Sequence, residues 1–279
     1  MIPSESGTSD WPSHVLRAGP HRFTCEEEPK PEEHREHVEP WLSALFQAEH
    51  LNLLVGSGLT TALAIVAGAP IVNMQPAPLK LEYAESVQKA AMESATRLGR
   101  GEPNIEDQIR AILDLIGGLR VLAKDTQPHG NGNSLTGEAR EIVDRCESAL
   151  DKLLTELLKQ ILETERGIVQ ALAGSDDTNR ANRVRRLLGG FLLPFASRAG
   201  TRDRLHIFTT NYDRVIEYGC DLLGLYIVDR FVGSVAPVFH ASRLGIDLHY
   251  NPPGIRGEPR YLEGVVRLTK LHGSVDWRW

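Results

Sequence analysis

The pattern of apolar and polar positions changes character along the 279 residues of the chain. Apolar residues dominate positions 51–55, directly before the segment Gly56-Ser57-Gly58, and a helical pattern follows over positions 60–67. A buried parallel strand that ends beside a phosphate group typically has this form, an apolar run that enters a Gly-x-Gly turn and then a helix. The stretch therefore predicts the first strand and first helix of an α/β fold, although Gly-Ser-Gly is also an ordinary turn.

Helical periodicity replaces the strand pattern between residues 80 and 200. Apolar side chains recur there at intervals of three or four, which indicates helices with one apolar face each. Asn104 is a candidate N-cap for one of these helices. The stripes predicted to face inward are Ala84, Val87, Ala91, Ala95 and Leu98; Ile105, Ile109, Ile112, Leu113 and Ile116; and Val143, Leu150, Leu153, Leu154, Leu157, Leu158, Ile161 and Leu162. A further helix is predicted over residues 179–198.

Strand patterns return over residues 205–209, 225–228 and 265–271. Strands that are separated by helices favour a parallel sheet. We therefore predict an α/β fold, a Rossmann-like parallel sheet with a large all-helical insertion between the first and second strands. Residues 41–79 and 201–279 are predicted to form the core and residues 80–200 the insertion. Residues 1–40, rich in Pro, Glu and Ser, are predicted to be a poorly ordered acidic arm, with a short helix over residues 38–50.

Composition narrows the possible functions. The net charge of −6 disfavours a general nucleic-acid binder. The three cysteines, Cys25, Cys146 and Cys220, lie far apart and form no Cys-x-x-Cys pair, so we expect a reducing cytoplasm and no four-cysteine zinc site. No apolar run reaches the roughly 20 residues of a membrane span. A local basic stretch between Arg180 and Arg204 could meet a phosphate or an acidic partner, but a solvated helix face is the favoured interpretation.

Polar side chains follow two of the later strands. Thr209-Thr210-Asn211-Tyr212-Asp213 closes the strand at 205–209, and ligands of parallel sheets bind beyond the carboxyl ends of the strands. The alternative is that Thr210 or Asn211 caps a helix over residues 212–223. The last strand leads into Lys270-Leu271-His272-Gly273-Ser274-Val275-Asp276-Trp277. A histidine at a strand end can act as a base near neutral pH, although a single histidine is more often structural.

Together these three segments resemble the sirtuin (Sir2-like) superfamily. The matching residues are Gly56-Ser57-Gly58-Leu59-Thr60, Thr209 to Asp213, and His272-Gly273. The succession TTNYD, KLHGS and Trp277 is most similar to the Sir2-like branch of bacterial antiphage defence systems. The resemblance covers roughly residues 45–279 outside the helical block, and the order and spacing of the three motifs agree.

The resemblance implies binding and cleavage of NAD⁺ to nicotinamide and ADP-ribose. It implies cofactor-binding roles for Gly56, Ser57, Gly58, Thr60, Thr210 and Asp213, and catalytic roles for Asn211 and His272. In that scheme Asp213 accepts a hydrogen bond from the nicotinamide amide. Asn211 orients water or a ribose hydroxyl, and His272 accepts a proton. NAD⁺ is then the substrate and no metal is expected.

Three departures argue against lysine deacylation, the usual sirtuin activity. Gly68-Ala69-Pro70 is followed by Ile71-Val72-Asn73 instead of a sequence with Asp-Phe-Arg, Thr210 stands where deacylases carry Gln, and the zinc cysteines are lacking. An NAD⁺ hydrolase that depletes NAD⁺ in antiviral defence is therefore the leading hypothesis. A deacylase and a non-catalytic NAD- or ADP-ribose-sensing module are the alternatives, and a dehydrogenase fits least.

The resemblance also implies partners. Proteins of this branch act as homo-oligomers or with an Argonaute-type protein, a HerA-like ATPase or a fused sensor domain. No membrane association and no direct nucleic-acid role are expected. The family pattern continues beyond a segment such as His272-Gly273, so we expect the core to be incomplete at its C-terminal end.

Overall fold

The computed structural model describes residues 14–18, 21–25, 31–122, 135–173, 178–199, 202–233, 237–251 and 260–277. Its strands are β1 (His14–Ala18), β2 (His21–Cys25), β3 (Asn52–Val55), β4 (Leu205–Thr209), β5 (Tyr226–Val228), β6 (Phe231–Val232), β7 (Val238–Phe239), β8 (His249–Tyr250), β9 (Arg260–Tyr261) and β10 (Val265–Lys270). Its helices are α1 (Pro31–Phe46), α2 (Ser57–Ala67), α3 (Ala84–Arg97), α4 (Ile105–Leu122), α5 (Leu135–Ala173), α6 (Thr178–Ala196) and α7 (Val215–Leu222), with a 3-10 helix at Ala241–Gly245. No helix in the described part of the chain combines the length and apolar character needed to cross a bilayer.

The chain divides into two compact units. The first contains residues 1–54, 189–209 and 219–269, and the second contains residues 55–188, 210–218 and 270–279. The sheet strands thus fall almost wholly in the first unit. The glycine turn and the motif residues that follow β4 and β10 belong to the second unit, together with helices α2 to α5.

A four-stranded parallel sheet is the centre of the first unit, with the strand order β3-β4-β10-β5. Strands β10 and β5 pair in parallel with Val265 opposite Tyr226. Side chains of β4 alternate between buried and half-buried, and Leu205 and Ile207 are fully buried. The predicted mixed α/β class with a parallel sheet is confirmed. All four predicted strands exist because their β-branched and apolar residues are locally favourable for strands.

The predicted N-terminal arm differs from the structure. Strands β1 and β2 pair as an antiparallel hairpin, and α1 begins at Pro31, seven residues before the predicted start at Val38. Proline is favoured in the first turn of a helix, and the glutamates that suggested disorder are good helix formers. An Arg35–Glu39 ion pair, four residues apart on α1, adds to this. The expectation of poor order therefore fails for these elements, while residues 1–13 and 26–30 lie outside the described residues.

Two arginines of the basic stretch are buried, which corrects the expectation of a solvated face for them. The Arg198 guanidinium donates to the carbonyl oxygen of Phe46, the last residue of α1, and to those of Ala48 and Glu49 just after it. Arg204 is paired with Asp247 at 2.9 Å. Both side chains therefore hold loops of the first unit in place.

Short elements between β5 and β10 were not predicted. Strands β6 and β7 form one antiparallel pair, and β8 and β9 form another. Each strand has two residues. A strand of this length has no periodicity that a sequence pattern could reveal.

Helices α3, α4 and α5 share one apolar core in the second unit. Ile105, Ile112 and Ile116 of α4 are buried there, as predicted, beside Val143, Leu153, Leu157 and Ile161 of α5. Tyr212 and Val275, from two of the motif segments, pack against the same core. The predicted stripes were too wide, since Leu98, Leu113, Leu154 and Leu158 are exposed. Helical spacing identifies a face but not the width of the surface that its neighbours cover.

The predicted cap of α4 is confirmed and is reciprocal. The backbone N–H of Asp107 donates to Asn104 Oδ1, and the N–H of Asn104 donates to Asp107 Oδ2, both at 3.0 Å. The Asp107 carboxylate is 3 % exposed and also accepts from Ser94 and Arg100. Burial would raise the pKa of Asp107, but these hydrogen bonds and the Arg100 charge outweigh it and hold the pKa below the ordinary value of 3.8.

Replacing Asp107 with alanine should lower the free energy of unfolding by about 1–3 kcal/mol, because the buried N–H and O–H donors lose their acceptor. A lowered pKa means that this stabilisation is present above the ordinary value of 3.8 and is lost as the pH falls through the lowered pKa. Urea unfolding at pH 7 and at stepwise lower pH measures both effects. Asp114→Ala, at an exposed position of the same helix, is the matched control; equal losses in the two variants would contradict the cap.

Candidate functional site

The glycine turn forms the start of α2. Gly56 is the N-cap residue with φ −108° and ψ −171°, and Ser57 and Gly58 lie in the first turn. All three are exposed, and a Cβ atom built on Gly56 or Gly58 would meet no atom within 4 Å. These angles are open to any residue, so the backbone conformation at Gly56 does not require glycine. What the turn offers is room for close approach to the first N–H groups of a helix.

Asn211 joins the second segment to the glycine turn. Its Nδ2 donates to the carbonyl oxygen of Gly56 and to Thr60 Oγ1, both at 3.1 Å. Because Thr60 donates its own hydrogen to Asp213, both neighbours of Nδ2 are acceptors, and this fixes the orientation of the amide. With both Nδ2 hydrogens in use, any role of Asn211 toward water or a hydroxyl group depends on Oδ1 as an acceptor.

Asp213 is a buried carboxylate with partners on both oxygens. Oδ2 accepts from Thr60 Oγ1 at 2.8 Å, and Oδ1 accepts from the N–H of Val215 at 3.1 Å. Val215 is the first residue of α7, so the side chain of Asp213 caps the first N–H of this helix. The helix begins four residues after Asn211, so the alternative in which Thr210 or Asn211 caps it is wrong. Burial raises the pKa of Asp213, and the bonds from Thr60 and Val215 and the charge of Lys270 oppose that rise.

Thr210 takes part in the site through its backbone. Its N–H donates to the carbonyl oxygen of Val55 at 3.4 Å, one residue before the glycine turn. Its side chain is half-buried. This bond brings the segment that begins at Thr210 beside the start of α2.

Lys270 connects the third segment to the second. Its side chain is 5 % exposed, and Nζ donates to the carbonyl oxygens of Tyr212 and Asp213 and pairs with Glu217 at 3.0 Å. The N–H of Val275 donates to the same Tyr212 oxygen at 3.0 Å. Burial raises the pKa of Glu217, and the Lys270 charge opposes the rise. The turn that carries Asn211 is therefore held by a buried charge.

His272 has a different neighbourhood from Asn211 and Asp213. Its side chain is about half exposed, and Nδ1 lies 4.0 Å from Glu106 Oε1 on α4. The ring of Tyr212 is 6.2 Å from the imidazole, and the Tyr212 hydroxyl donates to the same Glu106 oxygen at 3.0 Å. The imidazole is therefore accessible to a ligand or water, as a proton acceptor must be.

An apolar groove of about 300 Å³ lies between α4 and α5 in the second unit. Side chains of both helices line it, and Glu106, Tyr212, Ser274 and Val275 line it from the motif side. Leu113, Leu154 and Leu158, which had been predicted to face the core, belong to this lining. The groove shares Glu106 and Tyr212 with the surroundings of His272.

Four contributing residues were missed in the sequence. Lys270 belongs to the KLHGS segment but received no role from the sequence. Its position at the end of a strand was the feature that could have indicated one. Glu106, Glu165 and Glu217 lie on helices outside the three motifs, and no neighbouring sequence pattern marks them as functional. Glu165 of α5 accepts from the backbone N–H of Arg214 and pairs with its guanidinium at 2.8 Å, which anchors the start of α7.

Among the residues that the structure describes, no group of three or more His, Cys, Asp and Glu side chains is arranged to hold a metal ion. Comparison with protein-family models and with curated proteins gave no match to this chain.

Replacing Thr60 with valine should lower the free energy of unfolding by about 1–3 kcal/mol, because Asp213 Oδ2 and Asn211 Nδ2 both lose a buried partner. Burial raises the pKa of Asp213, and the hydrogen bond from Thr60 opposes that rise. Without this hydrogen bond, the pKa of Asp213 should rise further in Thr60→Val. The variant's loss of unfolding free energy is therefore full above the Asp213 pKa and shrinks as the pH falls through that pKa. Urea unfolding against pH, with Thr61→Val as control, measures this; a deficit independent of pH would contradict the link to Asp213.

Proposed function

We propose that the protein is an NAD⁺ hydrolase that releases nicotinamide and ADP-ribose. The observation that carries the proposal is the convergence of three segments, separated by up to about 200 residues, through side-chain hydrogen bonds. Asn211 binds the glycine turn, and Lys270 binds the turn that carries Asn211. These are the segments that resemble the sirtuin superfamily.

The glycine turn is the proposed site for the diphosphate of NAD⁺. Gly56 and Gly58 are exposed and leave the space of a Cβ open, and the first turn of α2 carries backbone N–H groups with the positive end of the helix dipole. Ser57 adds a hydroxyl donor in the same turn. The site residues therefore fit a dianionic diphosphate.

Asn211 and His272 are the proposed catalytic residues. Nicotinamide leaves with the electron pair of its bond to the ribose C1′, a water molecule adds to C1′, and the proton of that water passes to His272. The transition state has oxocarbenium character, so positioning of the ribose and the water is the main requirement. Asn211 Oδ1 is the acceptor that orients a ribose hydroxyl or the water.

Asp213 receives a revised role in this proposal. Both of its oxygens already accept hydrogen bonds from Thr60 and Val215, and the residue is buried. We therefore assign it to holding Thr60, and through Thr60 the Asn211 amide, rather than to the nicotinamide group.

Lysine deacylation is the second candidate, and one observation favours it. The apolar groove between α4 and α5 reaches Tyr212 and Ser274 and has the volume and lining to accept an acyl chain. Product analysis with NAD⁺ alone and with an acylated peptide separates the two activities. Nicotinamide release that requires the peptide, with transfer of the acyl group, would favour the deacylase.

The fold type, the biological role and the partners are proposed from the same resemblance. The four-stranded parallel sheet is compatible with a Rossmann-like dinucleotide fold, and the block of α3 to α5 is compatible with an insertion between its first two strands. A role as the NAD⁺-depleting effector of a bacterial defence system, as a homo-oligomer or with an Argonaute-type, HerA-like or fused sensor partner, follows from the resemblance alone.

Replacing Asn211 with alanine should reduce NAD⁺ hydrolysis by on the order of 100-fold or more, because the acceptor that positions the reacting groups is lost. Steady-state assay of nicotinamide release measures the effect. Asn182→Ala, at an exposed position of α6, should retain full activity. A folded Asn211→Ala protein with near wild-type turnover would remove Asn211 from the mechanism.

Replacing His272 with alanine should also abolish hydrolysis, because the proton acceptor is removed. His240→Ala, which changes an exposed histidine, and Cys→Ser changes at Cys146 and Cys220, whose thiols are buried, should leave turnover unchanged in folded protein. The same nicotinamide assay applies. Activity that survives in His272→Ala, or that depends on a thiol, would contradict the proposed chemistry.

A further inference from the structure

Glu106 occupies a defined position at the start of α4. It is the second residue of that helix and precedes Asp107, which forms the reciprocal cap with Asn104. The positive end of the helix dipole favours a carboxylate in the first turn. The backbone of Glu106 is therefore fixed, and its negative charge is favoured where it stands.

A single carboxylate oxygen of Glu106 faces two side chains of the motif segments. Oε1 accepts from the Tyr212 hydroxyl at 3.0 Å and lies 4.0 Å from His272 Nδ1. Burial, with the charge and hydrogen bond of Glu106, raises the pKa of Tyr212 to about 12, so the phenol remains a donor throughout the physiological range. Tyr212 thus restrains the carboxylate at the edge of the imidazole.

We propose that Glu106 is the positioning residue of His272 and that the helical block thereby contributes to the catalytic site. The carboxylate accepts a hydrogen bond from Nδ1–H, which selects one tautomer and leaves Nε2 as the proton acceptor. The present separation of 4.0 Å is longer than a hydrogen bond, so the pairing requires rotation of the half-exposed imidazole toward the carboxylate. The catalytic part of this inference rests on the proposed function, whereas the tautomer does not.

The test is the tautomer of His272 in protein whose histidine rings carry ¹⁵N. The His272 signals among the ten histidines are assigned by their loss in His272→Gln, and spectra are recorded at alkaline pH, where imidazoles are neutral. Wild type should show the Nδ1–H form, and Glu106→Ala should shift the population toward Nε2–H. Glu102→Ala, which removes an exposed carboxylate four residues earlier, should not change it.

Kinetics provide a second measurement. Glu106→Ala should lower kcat for NAD⁺ hydrolysis by roughly 10-fold or more with KM little changed, since orientation of the base and not binding is impaired. Glu106→Gln, which keeps an acceptor oxygen, should recover part of the loss, and it replaces Glu106→Ala if that variant does not fold. Tyr212→Phe should give a smaller tautomer shift than Glu106→Ala. It removes the hydrogen bond that restrains the Glu106 carboxylate but leaves the carboxylate itself in place.

The outcomes distinguish this inference from the proposed function. An Nε2–H tautomer in wild type, or an unchanged tautomer in Glu106→Ala and Tyr212→Phe, overturns the role of Glu106. A tautomer shift in a protein that releases no nicotinamide supports the pairing and rejects the hydrolase. A tautomer shift with undiminished kcat would overturn the catalytic importance of the pairing.

Discussion

The hydroxyl group of Thr60 is the interaction on which the candidate site depends. It accepts from Asn211 and donates to Asp213, so one oxygen atom links a residue of α2 with two residues that directly follow β4 and lie more than 150 positions further along the chain. A hydroxyl is one of the few side-chain groups that can donate and accept at once. Asn211 and Asp213 would otherwise present a buried amide and a buried carboxylate with one partner fewer each, which is costly in an interior of low dielectric.

The second constraint is the buried charge of Lys270. Two acidic side chains whose pKa values are raised by burial, Asp213 and Glu217, lie near this one ammonium group. Lys270 partly compensates both, and it also binds the backbone carbonyl oxygens of Tyr212 and Asp213. Because the lysine is almost fully buried, its three partners determine the position of the turn more strictly than an exposed ion pair would.

The helical block contributes to the site in three ways. Its core supports Tyr212 and Val275, Glu165 binds the start of α7 through Arg214, and Glu106 reaches Tyr212 and His272. Most of the predicted insertion, up to Leu188, belongs to the same compact unit as the motif segments. This grouping has a simple physical basis, since the motif segments are short loops with few apolar side chains and need a neighbouring core to hold them.

Local features were determined by the sequence. The four strands, the helix after the glycine turn, the buried face of α4 and its cap at Asn104 follow from spacing and propensity within about ten residues, and these predictions match the structure. Motif order also pointed to Thr60, Asn211 and Asp213 as one group. Only the tertiary structure decided that Thr60 bridges the other two, that Asp213 caps α7, that Lys270 is buried, and that Leu113, Leu154 and Leu158 line a groove. Each depends on a contact between residues distant in the chain, and periodicity records only which side chains share a face, not what that face meets.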